Sequence, residues 1–151
     1  MVELTGELQH ILLVEDNESH AEVVIRSMSN QQLPNKIHHV ADGEQALDYL
    51  FARGAYADPV QNPRPDLVLL DLRMPRVDGL EVLKIIKTTP SLLRIPVVIL
   101  TSSDAEKDIA TSYDYHANSY LVKPFNFNSF TNLMKDLGTY WLDYNVKPSR
   151  D

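Results

Sequence analysis

The chain has 151 residues, 44 % of them apolar, no cysteine and a formal net charge of −7. This length suits one domain with one core, and the composition opposes general disorder. The negative charge opposes a sequence-independent nucleic-acid binder, and the missing thiols exclude disulfides, Cys-ligated zinc and thiol catalysis. No apolar run approaches the roughly 20 residues of a membrane span. The start, Met1 to Glu7, lacks the basic and apolar regions of a signal peptide. A soluble cytoplasmic protein without a membrane or DNA partner is expected.

In chain order, residues 10–15 read as a strand and 18 to about 32 as a helix, with Asn17 as N-cap and Ala21, Val24, Ile25 and Met28 inward. A β-branched strand, 36–41, precedes a helix over 43–53 that turns Ala46, Leu47 and Leu50 inward. Residues 54–65 hold three prolines and a glycine and read as a loop. The run 66–71 is the central strand. A helix over 79–88 carries Leu80, Val82, Leu83 and Ile86, and Pro90 stops it. Then come a strand at 95–101, a weakly amphipathic helix at 104 to about 115, and a strand at 117–122. The last helix, 126–138, turns Phe130, Leu133, Met134 and Leu137 inward. Successive βα units argue for a parallel sheet covered on both faces.

The polar residues that end these strands carry the chemistry. Ile11 to Val14 ends in Glu15 and Asp16, Leu67 to Leu70 in Asp71, Val97 to Leu100 in Thr101, Ser102 and Ser103, and Tyr120 to Val122 in Lys123 and Pro124. In an open parallel sheet the carboxyl ends share one edge, where ligands bind. Three carboxylates, a hydroxyl and an ammonium meeting there suit a divalent cation and a phosphoryl group. Two carboxylates about 4 Å apart repel by roughly 4 kcal/mol at an effective dielectric of 20, so the cluster needs a compensating cation. Mg²⁺ (or Mn²⁺) fits, because it takes few protein carboxylates and keeps open positions.

Asp71 is the best nucleophile, since a carboxylate can accept a phosphoryl group as an acyl phosphate. Lys123 supplies fixed positive charge to the phosphoryl oxygens. Thr101 supplies a hydroxyl donor and Ser102 the following backbone N–H. Each has a plainer reading: an acid as helix cap or strand terminator, Lys123 as a surface lysine, Thr101 as an N-cap. A cis bond before Pro124 is one way to aim Lys123 inward. His38 and His39 point to opposite faces of a strand and cannot share a metal. His10, His20 and His116 are scattered, so no histidine metal site is expected. No Gly-rich phosphate loop and no Gly-x-Ser-x-Gly is present.

The ordered motifs Val14-Glu15-Asp16-Asn17, Leu70-Asp71-Leu72-Arg73-Met74-Pro75 with Asp78-Gly79, Ile99-Leu100-Thr101-Ser102 and Tyr120-Leu121-Val122-Lys123-Pro124 resemble the receiver domain of two-component response regulators. The resemblance implies a flavodoxin-like (βα)5 fold, a doubly wound parallel sheet of strand order 2-1-3-4-5. It makes Asp71 the phospho-acceptor for a sensor histidine kinase. Glu15, Asp16, Asp71 and the Arg73 carbonyl become the Mg²⁺ ligands, Asp16 more directly than Glu15. Thr101 and Tyr120 take the switch positions and Lys123 the phosphate contact. Arg73 stands where many receivers carry Asn. The loop 54–65, the segment Ser112 to Tyr120 and the tail Tyr140-Trp141-Leu142 are similar to small response regulators that partner bacterial phytochromes, which implies a bacteriophytochrome kinase.

The expected partition is a tail over 1–9, a receiver over 10–138, and a C-terminal extension or dimerisation arm over 139–151. No output domain is expected to follow, so signalling is expected to run through protein contacts. Phe130, Leu133, Met134, Leu137, Trp141 and Tyr144 follow helical spacing. Either these side chains fold back on the domain, or Trp141 and Tyr144 mark a homodimer interface. As a receiver the chain is a signalling switch rather than an enzyme, catalysing only its own phosphoryl transfer and hydrolysis. Two other classes compete. A haloacid-dehalogenase-type phosphatase wants an acid where Arg73 stands, and an unphosphorylated pseudo-receiver scaffold would not need the intact acids, Thr101 and Lys123.

Overall fold

The structure, a computed structural model, describes residues 8–31 and 33–148. Most of the expected tail, and Gln32 at the expected end of the first helix, lie outside the described residues.

Apolar runs without alternation build the sheet. Its strands are β1 (Gln9–Val14), β2 (Asn35–Val40), β3 (Leu67–Leu70), β4 (Val97–Thr101) and β5 (Ser119–Val122). All pairings are parallel and the order is β2-β1-β3-β4-β5, as expected for the flavodoxin-like class. Every residue of β3 and β4 is buried, because helices cover both faces. The helices are α1 (Glu18–Ser29), α2 (Gly43–Leu50), α3 (Gly79–Thr88), α4 (Glu106–Asp114) and α5 (Phe127–Gly138). Ile11, Leu13, Leu67, Leu69, Val98 and Leu100 pack under α1 and α5. Leu12, Val14, Val68, Leu70, Val97 and Ile99 pack on the opposite face with residues of α2 and α3.

Four helix starts are set by side chains. Asn17 accepts from His20 N, Asp42 from Gln45 N, Asp78 from Glu81 N and Asn126 from Ser129 N, each satisfying a backbone donor left free at the helix start. α4 has no side-chain cap, and its buried residues are the polar Asp108 and Ser112.

The structure corrects several boundaries. β4 starts at Val97, since Pro96 has no N–H for the ladder. α2 stops at Leu50, and Ala52 beyond it is left-handed with φ 55°. Ile25 is 38 % exposed rather than inward. The Lys123–Pro124 bond is trans. After Gly138 the chain widens into a π-helical turn, Thr139–Tyr144. The wider turn shifts the phase of the stripe. Trp141 (5 % exposed) and Leu142 (1 %) enter the α1/α5 layer, while Tyr144 is 75 % exposed. Trp141 is thus core, correcting its expected place on an exposed dimer arm. Among the described residues no helix is long and apolar enough to cross a membrane.

Candidate phosphoryl and metal site

Register brings the strand ends together. Val14 pairs with Leu70, and the Asp71 N–H donates to Val14 O at 3.1 Å. The Lys123 N–H donates to Thr101 O at 2.7 Å. Gly79 opens α3 directly against this edge: a Cβ there would lie 2.2 Å from Asp71 O and 2.6 Å from Leu72 Cα. Only glycine allows that approach.

The side chains then converge. Carboxylate oxygens of Glu15, Asp16 and Asp71 all lie within 4.8 Å of one another. Glu15 is 1 % exposed, Asp71 is buried and Asp16 faces solvent. The Lys123 ammonium is 2.6 Å from Glu15 Oε1, 3.0 Å from Asp71 Oδ2 and 2.9 Å from His20 Nδ1. Glu15 Oε2 also accepts from Asn17 N at 3.0 Å, and Asp71 Oδ1 from Arg73 N at 3.3 Å. Thr101 is fully buried with Ser103 N 3.5 Å from its hydroxyl, and it does not cap α4. Ser102 is exposed and lines the same cleft of about 310 Å³. The Tyr120 hydroxyl donates to Ser103 O at 2.9 Å.

Burial raises the Glu15 carboxyl to about 7. The Lys123 ammonium opposes that rise and the Asp71 charge adds to it. Burial, and then Lys123, lower the His20 imidazole, which favours its neutral form and leaves Nδ1 able to accept from Lys123. Burial, the largest cause, and nearby Asp108 raise the Tyr120 phenol. Three clustered carboxylates, one of them held in a near-waterless position, make a hard-oxygen donor set that fits Mg²⁺ or Mn²⁺. Larger grooves of about 620 Å³ beside Trp141 and about 480 Å³ beside Phe127 bring no such set together among the described residues.

Glu15, Asp16, Asp71, Thr101, Ser102 and Lys123 therefore share this cleft, with Tyr120 one contact behind it, while Pro124 lines the groove beside Phe127. Two pairings were missed. His20 joins Lys123, although it sits on the first turn of α1, just past the acidic pair, where spacing could have flagged it. His10 Nδ1 meets His38 Nε2 at 3.0 Å, away from the cleft. Arg73, which stands where many receivers carry Asn, lines the cleft and pairs through its guanidinium with Asp108 of α4.

A parallel five-stranded α/β fold with this carboxylate and lysine edge defines a receiver. The chain belongs to the response regulator receiver domain family, which matches residues 11–135. It is 41 % identical over 138 residues to the probable methanogenesis regulatory protein FilR2 of Methanothrix harundinacea, spanning 91 % of this chain and 86 % of that one. The crystal structure of the phosphorylated cyanobacterial phytochrome response regulator RcpA is similar at TM-score 0.90 and 40 % identity, covering 95 % of this chain and all 100 % of that one. The Mn²⁺-bound response regulator Rcp1 of Synechocystis sp. is similar at TM-score 0.89 and 37 % identity, covering 93 % and 99 %.

Proposed function

We propose that this chain is a phosphorylation-controlled switch in which Asp71 takes a phosphoryl group from the phosphohistidine of a sensor histidine kinase. The observation that carries the reading is one buried ammonium, Lys123, bridging Glu15 and Asp71 at 2.6 and 3.0 Å. Such a bridge sets a positive charge against two buried carboxylates and leaves it beside the incoming oxygens. An Asp71 oxygen forms the new bond to phosphorus as the P–N bond of the donor breaks, and the imidazole leaves with the electron pair. Glu15, Asp16, Asp71 and the Arg73 carbonyl would hold a Mg²⁺ or Mn²⁺ ion, which when bound would offset the like charges of carboxylates and phosphoryl group. Thr101, the Ser102 N–H and Lys123 contact the phosphoryl oxygens, and Tyr120 follows Thr101.

The likeness to RcpA, named as a phytochrome response regulator, supports a bacteriophytochrome-type kinase as donor. The net charge of −7 opposes direct DNA binding and supports output through protein contacts, for which the cytoplasm is the proposed place. The receiver spans 10–138. With Trp141 inside, the surface left for a homodimer at the C-terminal extension is Tyr144 with Tyr140, which are 75 % and 56 % exposed. Incubation with acetyl phosphate and Mg²⁺, followed by intact mass, tests the reading. A single hydrolysable adduct supports the switch, turnover of many phosphoesters supports a phosphatase, and no adduct supports a scaffold.

A further inference from the structure

Arg73 lines both the carboxylate cleft and an adjoining cavity of about 420 Å³. Its backbone N–H already contacts Asp71 Oδ1, so the side chain departs from the edge of the site. The guanidinium binds Asp108 Oδ2 on α4. That same oxygen accepts from Ser103 Oγ at 2.6 Å, and the Ser103 carbonyl accepts from the Tyr120 hydroxyl at 2.9 Å. One continuous polar chain therefore joins the mouth of the site to α4 and to the aromatic ring of β5. α4 has few other anchors. It lacks a side-chain cap, its buried residues are both polar, and Ser112 Oγ has no partner among the described residues. A helix with so little buried apolar surface depends on its polar tethers.

The two ends of the Arg73–Asp108 pair differ. The Arg73 side chain is 69 % exposed and the Asp108 side chain 12 %. An ion pair with one exposed partner is weak and exchanges easily. A phosphoryl group offers greater charge and several acceptor oxygens, which the guanidinium fork matches better than it matches one carboxylate oxygen. If the fork leaves, Asp108 remains largely buried without its counter-charge, which favours moving it toward water.

Resting on the reading of Asp71 as acceptor, we propose that Arg73 is a phosphoryl-binding residue of this site, held in reserve by Asp108 until Asp71 is modified. Transfer of the guanidinium to the phosphoryl oxygens releases Asp108, loosens Ser103 and Tyr120, and slackens α4. The coupling is reciprocal: removing the Asp108 tether strengthens binding of a phosphoryl mimic.

The experiment uses the full chain with Mg²⁺ and fluoroberyllate, a non-transferable stand-in for the phosphoryl group. Its affinity is titrated, and amide hydrogen exchange is followed over residues 103–120. In wild type, fluoroberyllate speeds exchange in α4. In Asp108→Asn, α4 exchanges fast without ligand and fluoroberyllate binds about fivefold tighter, the low end of typical couplings. Arg73→Ala binds it at least about fivefold more weakly, and Arg73→Lys recovers only part, having charge without the fork. In the double variant Arg73→Ala/Asp108→Asn the gain from Asp108→Asn vanishes. Exchange in α1 and α5 reports whether each variant stays folded. Unchanged affinity in Asp108→Asn, or wild-type affinity in Arg73→Ala, overturns the proposal while the acceptor reading stands. A wild type that takes up no fluoroberyllate overturns both.

Discussion

At the scale of single residues, Glu15 carries the least ordinary chemistry. It sits 1 % exposed with its carboxyl raised to about 7 by burial, against Lys123 at 2.6 Å. The folded state holds this proton more tightly than the unfolded chain does. Its contribution to stability is therefore fully present below about 4.5 and is lost as pH rises through about 7. Metal-free Glu15→Gln is expected to lack that decline. Urea melts in chelator across this range should show wild type losing stability with pH relative to the variant. Parallel curves would mean that Glu15 does not titrate there. The residues at strand ends were legible in the sequence because a parallel sheet delivers all its carboxyl ends to one edge. The pairings of His20 with Lys123 and of Asp108 with Arg73 were not, because the partners lie on other elements; only the place of His20 just past the acidic pair pointed to the site.

Elements were legible where local chemistry and period agreed. Asn17 before α1 and Asp78 before α3 cap as their residue types suggest, and the apolar stripe of α5 is buried at Phe130, Met134 and Leu137. Failures came where backbone geometry departs from the period. Ala52 turns left-handed after α2, and the π-helical turn after Gly138 carries Tyr144 off the stripe that Trp141 continues. Element contact also constrains the site. A methyl group on Gly79 would collide with the backbone of Asp71 and Leu72, which are not flexible side-chain ends. Gly79→Ala is expected to cost about 1–3 kcal/mol through overpacking and to weaken Mg²⁺ binding by moving Asp71. Calorimetry and a Mg²⁺ titration check both, and a variant matching wild type in each would mean the helix start yields freely. Trp141→Ala is expected to cost about 3–5 kcal/mol, as for a buried aromatic; a change near zero in denaturant melts would place Trp141 outside the core.

At the scale of the molecule, two helical layers hold a sheet whose carboxyl edge carries the site, and the C-terminal turn closes the α1/α5 layer. The exposed tyrosines of that turn are the surface proposed for a second copy. Tyr140→Ser/Tyr144→Ser should sediment as a monomer at concentrations where wild type is dimeric, with its fold retained by circular dichroism because neither ring is core. A double variant that stays dimeric would put the interface elsewhere. The central claim is that Asp71 alone accepts the phosphoryl group, and labelling of Asp71→Asn tests it most directly. With acetyl phosphate and Mg²⁺, wild type should gain the mass of one phosphoryl group and Asp71→Asn none, although the variant keeps the fold by circular dichroism. Undiminished labelling of Asp71→Asn, or a wild type that takes no label in the presence of Mg²⁺, would contradict the account.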